Sequence, residues 1–162
     1  MLRRTIYACA ALSLFGTLAT AQAGDKEDVL AAMEAWKQNL AVGTAADPSK
    51  ILSLYAKILS LYAKDGILWG TISPKLRPTP GLIKDYFVNA YKKLPKLTVV
   101  FKEPHVRVYG NTAINTGYYT FTFEKKGKIK KLPARYSFTL VKRGGKWLLA
   151  DHHSSGMPKP VK

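Results

Sequence analysis

Cysteine is nearly absent from this chain of 162 residues: Cys9 is the only one. It sits in a stretch with the three parts of an export leader. Arg3 and Arg4 supply a positive start, Ile6 to Leu18 a short apolar run, and Ala21-Gln22-Ala23 a small-x-small cleavage site. The run falls short of the roughly 20 apolar residues that span a bilayer. Residues 1–23 are therefore expected to be a secretory signal peptide, and residues 24–162 a single domain of 139 residues, carried across the inner membrane to the periplasm. No apolar stretch precedes Cys9, so it does not read as a lipid-attachment site. Without Cys9 the domain has no thiol. That excludes disulfide staples, a cysteine nucleophile and cysteine metal ligands, and leaves packing alone to hold the fold.

Acids are also scarce. Ten Asp and Glu face 26 Lys and Arg, a net charge of +16, or +14 without Arg3 and Arg4. No acid pair has glycosidase-like spacing, and there is no Gly-x-Ser-x-Gly elbow and no phosphate-cradling glycine loop. The excess of cations favours anionic partners. The lysines lie mostly in turns without interleaved aromatics, so no specific nucleic-acid binding is expected. Lys125, Lys126, Lys128, Lys130 and Lys131 crowd one hairpin tip. They suit a weak contact with an anionic surface, and equally a solvated tip whose charges block edge-to-edge pairing. Histidine occurs three times, as His105, His152 and His153. Two adjacent histidines on a strand cannot grip one metal from the same side, so neither a metal site nor a cofactor is expected.

What is present has a clear order. Asp25 to about Val42 carries Val29, Leu30, Met33, Trp36 and Leu40 at helical spacing, with acids at its start. Pro48, capped by Asp47, opens a second helix. In it Ile51-Leu52-Ser53-Leu54-Tyr55-Ala56-Lys57 is repeated unchanged as residues 58–64. Seven residues are nearly two turns, so the copies share a helix face to within about 20°. The extra copy either lengthens the helix or is absorbed as a bulge. Ile67 to Gly70 reads as a short strand, Ser73 to Pro80 as a proline-rich loop, and Gly81 to Leu94 as a third helix. After Pro95 the period becomes two: Leu97–Lys102, His105–Tyr109, Ala113–Glu124, Ile129–Val141 and Trp147–Ala150 are predicted strands. Helices followed by an antiparallel meander make an α+β domain: three N-terminal helices packed on a strongly curved antiparallel sheet that forms a cone with a pocket.

These elements, with Pro104-His105-Val106-x-Val108-x-Gly110, the strand Ala113 to Tyr119, the hairpin Arg143-Gly144-Gly145-Lys146-Trp147 and the ending His153-Ser154-Ser155-Gly156-Met157-Pro158, resemble the nuclear transport factor 2-like (cystatin-like cone) superfamily. Within it the chain resembles the SnoaL-like branch and the bacterial relatives of the association (hub) domain of calcium/calmodulin-dependent protein kinase II. The resemblance covers nearly all of residues 24–162. It implies a pocket at the cone's open end and homo-oligomers, dimers first, formed through sheet faces. It also implies a histidine at His153. The hub pocket's arginines are missing: Tyr118 takes one position, and near Phe138 the closest arginine is Arg135. There is no kinase domain here and no calmodulin-binding segment.

The candidate site follows. Alternation from Trp147 puts Leu149, Asp151 and His153 on one side of the last strand and His152 on the other. If that side faces the cone interior, Asp151 and His153 form an acid–base pair; otherwise they secure the chain end. Arg135 stands among apolar strand residues, as an edge charge or an anchor for an anion. The expected ligand-binding set is Arg135, His153, Tyr118, His105 and Trp69. The function this supports is an exported small-molecule-binding or oligomerisation domain for a small anionic or aromatic ligand. The alternative is a cofactor-independent isomerase, cyclase or dehydratase using Asp151 and His153.

Overall fold

A computed structural model describes residues 13–42 and 55–158, with side chains from Gly24 to Ala41 in the first helix. Helix α1 is Ser13–Val42. Residues 55–59 are helical and form α2, and α3 is Pro80–Lys93. The strands are β1 (Tyr62–Trp69), β2 (Leu76–Arg77), β3 (Thr98–Tyr109), β4 (Thr112–Lys125), β5 (Lys128–Arg143) and β6 (Lys146–Gly156). They form one curved sheet in the order β2-β1-β6-β5-β4-β3. All neighbours are antiparallel except β1 and β6, which run parallel. The α+β class and the cone follow from this arrangement.

Local chemistry explains the boundaries. The Thr79 hydroxyl caps α3 by accepting from the Leu82 amide at 3.3 Å, and Pro80 follows at the first helical position. Such a cap is worth about 1 kcal/mol. Lys92 and Lys93 sit in the last turn, where the helix dipole favours cations. Its buried stripe is Ile83, Phe87, Ala90 and Tyr91. On α1 the stripe is Val29, Met33, Trp36 and Leu40, each at most 3 % exposed. Trp36 packs against Phe138 (5.8 Å) and Phe101 (6.1 Å) of the sheet. Truncation of a tryptophan so placed costs roughly 3–5 kcal/mol.

Two expectations are corrected. The second copy of the heptad does not continue a helix. Ile58 and Leu59 end α2, Ser60 and Leu61 turn, and Tyr62-Ala63-Lys64 begins β1. Tyr55-Ala56-Lys57 is helical, whereas the identical Tyr62-Ala63-Lys64 is extended, because the edge of β6 is there to pair with it: the Leu149 amide donates to the Leu61 carbonyl at 2.8 Å. Tertiary pairing overrides local propensity. Ile51 to Leu54 and the predicted cap at Asp47-Pro48 lie outside the described residues. Second, the two strands predicted on either side of Glu103 are one, β3. A bulge joins them, with Glu103 at φ 53° and a slip in pairing between Lys102 and His105.

Candidate functional site

Strand β6 decides what the cone contains. Trp147 and Leu149 point inward, as alternation requires. The pairing with β5 then slips: Leu140 lies opposite Leu149, but Thr139 lies opposite Asp151. Ala150 is the extra residue of a β-bulge, and beyond it the parity inverts. His152 and Ser154 face inward, 3 % and 6 % exposed. Asp151, His153 and Ser155 face out. The expectation that Asp151 and His153 share the interior is therefore reversed, and the histidine that simple alternation sends outside is the buried one.

The interior is apolar, and several of its polar groups bond one another. His152 Nδ1 shares a 2.5 Å hydrogen bond with the Tyr62 hydroxyl. The imidazole packs edge-on against Phe138 (4.4 Å) and Trp36 (5.3 Å). Burial, helped by the neighbouring His153 charge, pulls its pKa down to about 3. Burial likewise raises the Tyr62 phenol well above its ordinary value. The Tyr119 hydroxyl donates to Ser154 Oγ, which also bonds Thr71 Oγ1. His152, Tyr119, Ser154 and Thr71, with Phe87 and Phe121, line a cavity of about 20 Å³, room for about one water. No carboxylate, lysine or arginine lines it. An imidazole so hard to protonate is a hydrogen-bonding group and a weak base.

The other predicted residues gather on the opposite face. Pairing sets His105, Thr116, Ser137, His153 and Trp69 side by side across five strands. The next row is Lys102, Tyr118, Arg135 and Ser155. Arg135 Nε donates to Ser155 Oγ at 3.1 Å. Arg135, His153, Tyr118, His105 and Trp69 thus do come together, but outside the cone. A shallow groove of about 290 Å³ runs between Arg135, Ser137, His153 and Ser155.

A third place was not legible. Between α3 and the segment that carries β2 lies a cleft of about 390 Å³, lined by Ser73, Lys75, Arg77, Asn89 and Lys93. It shares Ile72, Tyr86 and Ala90 with the interior cavity, so the two lie back to back. Gly70 makes the dividing wall possible. A Cβ there would lie 2.2 Å from the Tyr86 ring, so only bare backbone lets the ring sit down. Among the described residues no group of three or more His, Cys, Asp or Glu could hold a metal ion.

The model of the calcium/calmodulin dependent protein kinase II association domain family matches residues 25–158. The chain belongs to this family. A crystal structure assigned to the same domain, from Xanthomonas campestris, is 36 % identical, covers 82 % of this chain and 87 % of its own, and superposes with a TM-score of 0.69. A nuclear transport factor 2-like protein with a cystatin-like fold from Novosphingobium aromaticivorans shares the fold at 11 % identity, covering 94 % and 95 % with a TM-score of 0.73. A ketosteroid isomerase-like protein from Erwinia carotovora does so at 16 % identity, covering 83 % and 98 % with a TM-score of 0.64. No curated protein matches the sequence. In this association domain, the interior residues that sequence reasoning passed over are Tyr62, Thr71, His152 and Ser154. Tyr62 was hidden in the duplicated heptad. The bulge that turns His152 inward leaves no mark in a run of Leu-Leu-Ala-Asp-His-His.

Proposed function

We propose that this chain is an exported association module that pairs with a second copy through the outer face of its sheet. The observation that carries this reading is that face itself. Trp69, Tyr118 and Val100 are 40 %, 45 % and 63 % exposed there, large apolar surfaces beside Thr116, Ser137 and Arg135, and aromatic and arginine side chains are what interface centres favour. Inside the cone, Tyr62 bonds His152, and Ser154 bonds both Tyr119 and Thr71, around a cavity with room for about one water. The family's description as an association domain agrees with self-association. The leader-like residues 1–23 and a family match that begins at residue 25 support export to the periplasm.

Sedimentation velocity tests the pairing. The wild type is expected to sediment as a dimer, and Tyr118→Glu, which plants a charge in the middle of the face, as a folded monomer. A wild type that stays monomeric at high concentration, or a Tyr118→Glu protein that stays dimeric, overturns the proposal. The enzymatic alternative keeps one supporting observation, the His152–Tyr62 hydrogen bond inside the cone. Acid–base chemistry there would run through those two groups, since Asp151 and His153 face outward.

A further inference from the structure

The cleft between α3 and the segment that carries β2 collects cations that no described carboxylate pairs with. Lys75, Arg77 and Lys93 line it and no acid does. Among the described residues the carboxylate ion pairs go elsewhere: Asp25 to Lys142, Asp65 to Arg143, Glu124 to Lys96, Glu34 to Lys37, Glu103 to Lys102. The contrast between two arginines is direct. Arg143 closes both prongs of its fork on Asp65, at 2.7 and 3.0 Å. Arg77 reaches only Ser73 Oγ, at 3.1 Å through Nη2, and its Nε is buried with no hydrogen-bond partner. Buried donors are nearly always paired; Trp36 Nε1, the Tyr91 hydroxyl, Asn115 Nδ2 and Trp147 Nε1 are also open, but of these five residues only Arg77 lines the cleft that holds two further cations.

The fold holds these groups in place. Pairing sets Arg77 opposite Leu68, which lies opposite His152, so the guanidinium stands two strands from the interior histidine. Asn89 and Lys93 are one helical turn apart on α3 and share a face. The rest of the lining is Ile72, Pro74, Ala90 and the Tyr86 ring.

The geometry points to a binding site for a phosphomonoester with a small apolar or aromatic body. Three cations lining one cleft match a dianion better than a carboxylate's single charge, and a phosphomonoester is largely dianionic above its second pKa near 6. Arg77 offers its fork to two oxygens, the lysines act as point charges, and Asn89 and Ser73 supply further hydrogen bonds. The organic group rests on Tyr86, Ile72 and Ala90, toward the interior cavity. This inference does not depend on self-association through the opposite face.

Isothermal titration calorimetry of the full chain at pH 7.5 and low salt tests it with three probes. Phenyl phosphate is expected to bind most tightly, inorganic phosphate several-fold more weakly, and phenol not at all. Arg77→Gln and, separately, Lys93→Gln should each weaken phenyl phosphate, Arg77→Gln by about tenfold or more. Arg135→Gln, on the other face, should leave the affinity within about twofold. Lys93 is exposed on a helix, so its variant serves if Arg77→Gln does not fold. The proposal is overturned by no heat from phenyl phosphate at millimolar concentration, by equal binding of phenol, by equal binding of inorganic phosphate, or by Arg135→Gln costing as much as Arg77→Gln.

Discussion

A single imidazole ties the stability of this domain to pH. In the unfolded chain His152 takes up a proton near pH 6.5; in the fold, burial holds it neutral down to about 3. Between those values the unfolded state binds more protons, so stability is lost as pH falls through that window and is unaffected by this group above it. From pH 7 to pH 5 the loss from His152 alone is about 2 kcal/mol. Urea unfolding at the two pH values should show that loss in the wild type and a flatter response in His152→Gln. Equal losses would assign the effect to other groups. The neighbouring hydroxyl matters as well: Tyr62→Phe leaves Nδ1 of a buried ring without its partner, and such a loss costs about 1–3 kcal/mol.

Among the elements, β6 shows how far a sequence can be read and where reading stops. The strand itself was legible from Gly144-Gly145 and the Trp147-x-Leu149 alternation, as were α3 from its apolar spacing, though not its Thr79 cap, and β4 and β5 from their period of two. What alternation could not show was Ala150. A bulge needs no glycine when its extra residue is small, so nothing in the letters separates a continuous strand from a slipped one. One slip moved every later side chain to the other face, and that moved the candidate site. The heptad failed for another reason. Identical residues took two conformations because only the second copy reaches the edge of β6. Were Ala150 paired in a regular ladder, Asp151 and His153 would turn inward, and an unpaired carboxylate in that apolar interior costs several kcal/mol. Deletion of Ala150 instead removes the extra residue and leaves Leu149, His152 and Ser154 on the inner face, in the pairing they already have with β5. The deletion variant is expected to keep cooperative thermal unfolding and a buried His152; loss of cooperative unfolding, or a His152 that titrates like an exposed imidazole, would refute the bulge as the device that selects the interior histidine.

At the scale of the whole molecule, the order of elements and the resemblance carried by a few short motifs were enough to place the chain among cone folds, while the distribution of charge was not readable. Arg77 sits in a run with three prolines that reads as mere loop, and only the packing of that loop on α3 turns it toward a cavity. The parallel pairing of β1 with β6 sets the order of assembly. Strands β3 to β6 are joined by short turns, so each can zip onto its predecessor. β1 must instead wait for a partner about 90 residues downstream, the separation of Tyr62 and His152, and loops that long close slowly and late. Pulsed hydrogen exchange during refolding should protect the amides of β4 and β5 before those of β1; the opposite order would refute this sequence of events. A chain whose first strand cannot dock until its last has emerged closes its sheet only at the end of synthesis, so a truncation within β6 would leave β1 without its partner however well the meander before it had formed.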